Sequence, residues 1–296
     1  MTQLWSLPLC ALLSGLGLLA GLLPRPLELW LGRRAGRLVL ALRLFKTRVA
    51  EENIARGLPR LGPRERRALL EANFEHYGIL LFEFMHFFSP LPGHFQRYSR
   101  RISRLLNRPI WEEASAKGKG VLFFSAHLGF WEMSAASAGL SGMAPTIVTT
   151  VLKPRWLHDQ ITACRASNEV TAAFHPGSLR SVLKALRAGR TVAFMNDQYA
   201  PPPIGLPVLF MGHKVNTLSI VGTLAKMTGA AVLPVRSLRG ADGVTSVTIE
   251  PEIDLSAVAD DAAATQLVAD RVEEWVRRDP EQWLWIHRRF KNASPA

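Results

Sequence analysis

The chain has 296 residues, of which 48% are hydrophobic and 20% are charged, so it is neither a disordered nor a fibrous protein. Its two cysteines, Cys10 and Cys164, exclude a disulfide scaffold, and no paired-cysteine zinc motif is present. Lys and Arg number 36 against 24 Asp and Glu, a net charge of +12. A balance this basic indicates an anionic partner: nucleic acid, an anionic membrane surface or a phosphorylated substrate.

The positive charge is concentrated near the amino terminus. The first 70 residues hold twelve basic and four acidic side chains, which is two thirds of the net charge. They begin with an uncharged stretch, Leu4–Leu23, whose length is typical of a segment that crosses a bilayer. No basic residue precedes Leu4 and Pro24 follows Leu23, which favours a retained anchor over a cleaved signal peptide. A buried or interfacial hairpin remains the alternative, because Pro8 and three glycines lower the helix propensity.

The segment after the anchor is predicted to be an amphipathic helix. Its apolar positions share one face at 100° per residue: Leu27, Leu31, Leu38, Leu42 and Phe45. Arg33, Arg34 and Arg37 project from the other side. Such a helix lies in a headgroup layer or packs on its own domain. The positive flank predicts that everything downstream of the anchor lies in the cytoplasm.

The rest of the chain alternates strands and helices. In chain order, the predicted elements are a helix over 64–88, a strand over 120–126, a helix over 131–138, a strand over 145–151, a helix over 178–188, a strand over 191–195, a helix over 216–227, a strand over 231–235, an edge-type strand over 244–250 and a helix over 265–278. This alternation predicts a single α/β domain with a central, largely parallel mixed sheet flanked by helices.

The first candidate site follows the predicted strand 120–126. His127 ends that strand, and ligands of open α/β sheets bind at the carboxyl ends of strands. Glu132 begins the next helix, at a spacing that predicts its carboxylate folds back onto the imidazole of His127, as a general base requires. A structural His–Glu hydrogen bond is the alternative. No third ligand accompanies the pair, so we expect no metal, and the lack of a serine or cysteine nucleophile motif favours direct attack by a substrate hydroxyl.

Two further clusters are candidates for the same site. Asn196, Asp197 and Gln198 end the strand 191–195 and are predicted to lie at the same edge of the sheet, although an Asp there is often a turn former or helix cap. Near the carboxyl terminus, Arg288 and Arg289 stand among aromatic residues, where they bind phosphate or belong to a solvated tail.

Taken together and in this order, these clusters resemble the lipid A biosynthesis (late, or secondary) acyltransferases of the lysophospholipid acyltransferase superfamily. The resemblance covers most of the chain and is most specific in the twelve-residue ending Pro280–Lys291 combined with His127 and Glu132. The other residues that carry it are Glu51–Ala55, Leu58, Pro59, Glu83, Gly129, Trp131, Asn196, Asp197, Gln198, Phe210, Met211, Gly212 and the stretch Thr228–Ala230. The segment Cys164–Glu169 lacks the family's Arg-x-x-x-Gly stretch, so this segment does not identify the acceptor lipid.

The resemblance implies an O-acyltransferase that moves a fatty acyl chain from acyl carrier protein or acyl-CoA to a hydroxyl of a lipid A precursor. It implies no cofactor besides that acyl donor. His127 is then the general base and Glu132 its orienting partner. Substrate-binding roles fall on Gly129, Trp131, Arg165, Asp197, Gln198, Gly212, Arg288 and Arg289. We accordingly expect residues 1–48 to form the membrane anchor and interfacial helix, and 49–296 a catalytic domain on the cytoplasmic face of the inner (plasma) membrane.

Other functions fit the same residues less well. An acyltransferase of a different membrane lipid (a mannolipid, an ornithine-type lipid or a lysophospholipid) requires only another acceptor. A non-catalytic module that binds anionic lipids uses the basic flank alone. Nucleic-acid binding follows from charge only and is disfavoured, because no nucleic-acid motif is present and the charge lies beside an apolar segment.

Overall fold

The computed structural model describes residues 6–255 and 258–295 as one α/β domain. Its α-helices are α1 Ser6–Leu22, α2 Arg25–Ala41, α3 Thr47–Gly57, α4 Pro63–Met85, α5 His94–Ile102, α6 Arg108–Ala116, α7 Glu132–Leu140, α8 Arg155–Ala166, α9 Ser178–Arg187, α10 Ile220–Thr228 and α11 Asp261–Arg278. Short 3₁₀ turns cover His86–Phe88 and Pro280–Gln282. The strands are β1 Ser103–Leu106, β2 Val121–Ser125, β3 Thr146–Thr150, β4 Thr171–His175, β5 Thr191–Met195, β6 Gly205–Phe210, β7 His213–Leu218, β8 Ala231–Arg239, β9 Thr245–Ile249 and β10 Ser294–Pro295.

The central sheet is mixed and mostly parallel, as predicted. Its strand order is β1-β9-β8-β2-β5-β3-β4, and the β8–β9 pair is antiparallel while the other pairs are parallel. Every residue of β2 is buried because helices cover both faces of the sheet, which explains its continuous apolar sequence. Phe124 packs in the core with α9, α10 and α11, and Phe123 packs in the core on the opposite face with α5, α6 and α7.

Two predicted elements differ from the structure. The helix predicted from Asn216 begins only at Ile220, because residues 213–218 form β7 and pair with β6 in a hairpin. Met211 and Gly212 both have positive φ in the two-residue turn, which is the backbone geometry that hairpins favour. Strand β9 is not at an edge, since β1 pairs with its far side.

The predicted membrane-spanning anchor is not supported. The amino-terminal helix α1 has 17 residues and ends at Leu22, just before Pro24. Across residues 6–255 and 258–295, no helix is both long and apolar enough to span a bilayer. Leu4 and Trp5, which begin the predicted segment, lie outside the described residues.

Helix α2 packs on α4 through glycines. A Cβ on Gly36 would collide with the backbone of Phe74, and one on Gly78 would collide with the backbone of Gly32, so the two helices touch backbone to backbone. The amino end of α2 is held by a buried ion pair between Arg25 and Glu83, at 2.5 Å. Much of the predicted apolar face points outward: Leu27, Leu38, Leu42 and Phe45 are all exposed.

Candidate active site

The structure brings two of the predicted residues together at the carboxyl edge of the sheet. Strands β2 and β5 are neighbours in register, with Ser125 beside Met195, so the residues that follow them meet. His127 Nδ1 lies 2.8 Å from Asp197 Oδ1. The backbone N–H of His127 donates to the other oxygen, Oδ2, at 2.9 Å. The carboxylate therefore contacts the imidazole by one bond and the backbone of His127 by the other, and it leaves Nε2 as the ring nitrogen available to a substrate.

The electrostatics of the pair favour a charged couple. Burial raises the pKa of Asp197, but the charge and hydrogen bonds of His127, with a further bond from Trp283, lower it to about 2. Burial lowers the pKa of His127, but the charge and hydrogen bond of Asp197, with a smaller contribution from Glu132, leave it raised above its ordinary value. Asp197 thus stabilises the imidazolium that a general base forms when it accepts a proton.

The predicted pairing of Glu132 with His127 is wrong. Glu132 begins α7, and its carboxylate makes a two-pronged ion pair with Arg165 on α8: Nη2–Oε1 is 2.8 Å and Nε–Oε2 is 3.1 Å. Burial lowers the pKa of Arg165, but the charge and hydrogen bond of Glu132 outweigh burial and raise it. The sequence spacing allowed a local contact with His127, and the first turn of α7 instead directs the carboxylate toward α8.

The loop between His127 and α7 is shaped by close contacts. Gly129 has φ +59°, and a Cβ there would lie 2.5 Å from the carbonyl oxygen of Ser237, so this turn needs glycine. Its backbone N–H donates to the carbonyl of Gln282. The rings of Trp131 and His127 meet edge to face, with their centroids 5.0 Å apart. Gly129 therefore contributes through its backbone, and Trp131 forms a wall beside the imidazole.

A cavity of 340 Å³ opens beside His127. Glu132, Arg165 and Gln198 supply polar lining, and the lining positions on β2, β3, β5 and α7 are mostly apolar or small. The apolar or small lining residues include Phe123, Ala135, Ala138, Pro145, Ile147, Val148, Ala193 and Val235. A concave apolar site with a few convergent polar groups is the usual form of a small-molecule binding site.

Three predicted binding residues do not line the cavity beside His127. Arg289 is 1% exposed, and its guanidinium donates to the carbonyls of Gln198 and Asn216 and to the Thr217 hydroxyl, so these bonds hold it within the protein. Burial lowers its pKa to about 10 despite the nearby charge of Asp197. Arg288 is exposed and lines a separate groove against α3. Gly212 lies in the β6–β7 turn, at a surface pocket away from His127.

Trp283 is a residue of the site to which the sequence alone assigns no role. The indole N–H of Trp283 donates to Asp197 Oδ2 at 2.9 Å, across 86 residues of sequence. The aromatic cluster that contains Trp283 is visible in the sequence, but nothing in the local sequence shows which indole meets which carboxylate. Among the described residues, no group of three His, Cys, Asp or Glu side chains is placed to hold a metal ion.

An α/β fold with a His–Asp pair beside an apolar cavity is typical of an enzyme with a general base. Comparison with known sequences identifies the family of that enzyme. The family model for bacterial lipid A biosynthesis acyltransferases matches residues 5–292, and the chain belongs to this family. It is therefore an acyltransferase.

The similar curated proteins are all named for lipid A biosynthesis. The chain is 27% identical over 275 residues to the lipid A biosynthesis lauroyltransferase of Escherichia coli, covering 91% of this chain and 87% of that one. It is 26% identical over 272 residues to the palmitoleoyltransferase of the same organism, covering 91% and 86%. A lipid A biosynthesis acyltransferase of Haemophilus influenzae is 23% identical over 278 residues, covering 91% and 86%. This kinship supports acyl transfer onto lipid A.

Proposed function

We propose that the protein transfers a fatty acyl chain from an acyl thioester to a hydroxyl of a lipid A precursor, with His127 as general base and Asp197 as its orienting partner. The observation that carries this assignment is the His127–Asp197 hydrogen bond of 2.8 Å beside the 340 Å³ cavity. The pair supplies a base and the negative charge that stabilises its protonated form.

The reaction follows from this arrangement. Nε2 of His127 takes the proton from the acceptor hydroxyl while the hydroxyl oxygen attacks the thioester carbonyl carbon. The C–S bond then breaks, the ester forms, and the thiolate that leaves takes the proton back from His127. Arg165, fixed by Glu132 beside the cavity, offers positive charge where the carbonyl oxygen becomes negative.

The acyl chain of the donor occupies the cavity. Its lining residues on β2 reach from Ser125 to Phe123, and those on α7 run from Glu132 to Ala138, so the cavity extends from the polar groups toward the opposite edge of the sheet. The small side chains on α7 leave space that a hydrocarbon chain fills at a favourable transfer free energy, about 0.8 kcal/mol per buried methylene.

The donor is an acyl group on acyl carrier protein, with acyl-CoA as the alternative. A groove of 430 Å³ between α3 and the carboxyl-terminal segment is lined by Arg48, Arg56, Arg288 and Lys291, against one carboxylate, Glu52. Such a cationic surface complements an acidic carrier.

The acceptor alternatives remain a mannolipid, an ornithine-type lipid or a lysophospholipid, each of which uses the same base.

We further propose that α1 and α2 lie in the surface of the inner membrane with the active site on the cytoplasmic side. Gly17 of α1 packs against the backbone of the 3₁₀ turn that follows α4, and Gly21 packs against the His94 ring. The outer face of α1 exposes a row of leucines: Leu9, Leu12, Leu16, Leu18, Leu19 and Leu22. Together with the exposed apolar side chains of α2, this patch is of the kind that marks an interaction surface.

His127→Ala tests the proposed function. Purified protein is mixed with acyl-carrier-protein or acyl-CoA donors and a lipid A precursor, and mass spectrometry follows the gain of one acyl group. We expect the variant to fold, as judged by circular dichroism, and to lose transfer. Transfer at the wild-type rate would refute the assignment of the base, and a mass shift on another lipid would replace the acceptor.

A further inference from the structure

The carboxylate of Asp197 accepts a hydrogen bond from an indole. Trp283 is 1% exposed, and its Nε1–H lies 2.9 Å from Asp197 Oδ2, the oxygen that also accepts the backbone N–H of His127. Both lone-pair directions of Oδ2 are thereby engaged, and Oδ1 is left to face the imidazole. The arrangement makes Trp283 the third side chain of a series that runs from indole to carboxylate to imidazole.

Hydrogen bonds also fix the backbone of Trp283. Its carbonyl accepts bonds from Asn73 Nδ2 at 2.8 Å and from the Tyr77 hydroxyl at 3.0 Å, both on α4. On the other side it forms a β-bridge with Leu128, the residue after His127. The indole therefore has a fixed position relative to both strand ends that carry the catalytic pair.

We propose that Trp283 is a positioning residue for the acyl transfer: its indole N–H fixes the carboxylate of Asp197 so that Oδ1 holds the Nδ1–H tautomer of His127 and keeps Nε2 free for the acceptor hydroxyl. The inference rests on the proposed function of His127 and goes beyond it. A neutral donor suits this position because it orients the carboxylate without cancelling the negative charge that stabilises the imidazolium.

The charges around the pair set the expected pH behaviour. Asp197 faces His127 and Trp283, His287 and Arg289 lie within electrostatic reach of it, and Glu132 acts on His127. Removing the indole N–H leaves Asp197 a stronger acceptor for His127. The imidazolium is then favoured, and the acidic limb of the pH–rate profile moves to higher pH.

Trp283→Phe tests the inference against two matched variants. Trp275 is equally buried and also donates its indole N–H to a carboxylate, Glu250 Oε1 at 3.0 Å, away from the site. Trp285 packs edge-on against Trp283 and donates to the carbonyl of Pro280 at 2.7 Å. We expect kcat to fall about tenfold to a hundredfold in W283F, the range for a lost hydrogen bond to a charged group, with KM little changed. The fall comes from the lost orientation of the Asp197 carboxylate and outweighs the gain in basicity of His127. W275F and W285F should keep kcat within about threefold once their folded fractions are matched.

A second replacement separates the hydrogen bond from packing. Benzothienylalanine at position 283 keeps the shape of tryptophan but lacks the N–H, and we expect it to lower kcat and shift the acidic limb as W283F does. Wild-type kcat with this isostere overturns the proposal, as does an equal loss in W285F with an unmoved limb.

A measurement without substrate distinguishes this proposal from the proposed function. The indole N–H resonance of Trp283, assigned in the NMR spectrum by its absence from W283F, should move as the His127–Asp197 pair titrates, and the Trp275 resonance should not. If the resonance moves while H127A remains active, the hydrogen bond stands and the catalytic assignment fails. A resonance that ignores the titration contradicts the positioning role.

Discussion

Asp197→Asn is the change that separates the observed pair from the one expected from local spacing. The pKa of Asp197 is lowered from an ordinary value of 3.8 to about 2, which corresponds to about 2 kcal/mol of preference for the ionised carboxylate in the folded protein. Part of that preference is its interaction with the charge of His127. If the transition state loses most of these ~2 kcal/mol when the charge is removed, kcat/KM falls about thirtyfold.

Asparagine is also a poor substitute on geometry. Asp197 Oδ2 accepts two N–H groups and Oδ1 faces Nδ1 of His127, so an amide placed there turns its own N–H₂ toward at least one donor. This misplaced amide adds to the expected loss of activity. Protein stability should fall as well, and the loss should be present above about pH 4 and diminish as the pH falls through about 2, because Asp197 becomes protonated in both folded and unfolded wild type below that pH.

The pH–rate profile gives the decisive readout. His127 must be unprotonated to act as the base, and its pKa is raised above the ordinary 6.5, so the acidic limb of the wild-type profile should lie above that pH. In D197N the limb should move to lower pH because the stabilising charge is gone. Glu132→Gln should lower kcat through Arg165 with a much smaller shift of the limb. The reasoning is refuted if D197N keeps wild-type activity, or if E132Q moves the limb and D197N does not.

Three further predictions concern the surroundings of the site. Ala138→Leu fills the cavity lining on α7, so in a competition among donors the product should shift toward shorter acyl chains; an unchanged chain distribution would place the acyl group elsewhere. Arg288→Gln should raise KM for acyl carrier protein donors severalfold and more at low salt, while Arg180→Gln, from a separate cationic surface on α9, should not; equal effects would make the attraction nonspecific. Gly36→Ala should lower the free energy of unfolding by about 1–3 kcal/mol because the methyl meets the backbone of Phe74, whereas Gly15→Ala has open space and should be neutral or stabilising, as thermal unfolding would show.

The sequence predicted much of the fold because hydrophobic periodicity is a local signal. The strand predicted over 191–195 is β5 with the same bounds, and the helix ending at Arg278 before Pro280 is α11. The β6–β7 hairpin was missed although Met211 and Gly212 form its turn, since the apolar residues after Asn216 also fit a helix. The anchor prediction depends on composition over residues 4–23, and the part of that segment that the structure describes as helix, Ser6–Leu22, does not support a membrane span.

The site was predicted in parts and paired incorrectly. His127 and Asp197 were each expected at the carboxyl edge of the sheet, but their contact depends on β2 and β5 being neighbours, which is a property of strand order that no local pattern contains. The sequence favours Glu132 as the partner of His127 because the two lie five residues apart. Its actual partner, Arg165, is 33 residues away, and tertiary packing decides between the two.

The distances along the chain between the parts of the site have a consequence for folding kinetics. His127 and Asp197 are 70 residues apart, and Asp197 and Trp283 are 86 apart, so each contact closes a long loop. Contacts of high sequence separation form late, when most of the sheet is already assembled. Recovery of activity after dilution from denaturant should therefore follow the slowest refolding phase, and no partly folded chain should transfer acyl groups before its sheet and carboxyl-terminal segment have joined.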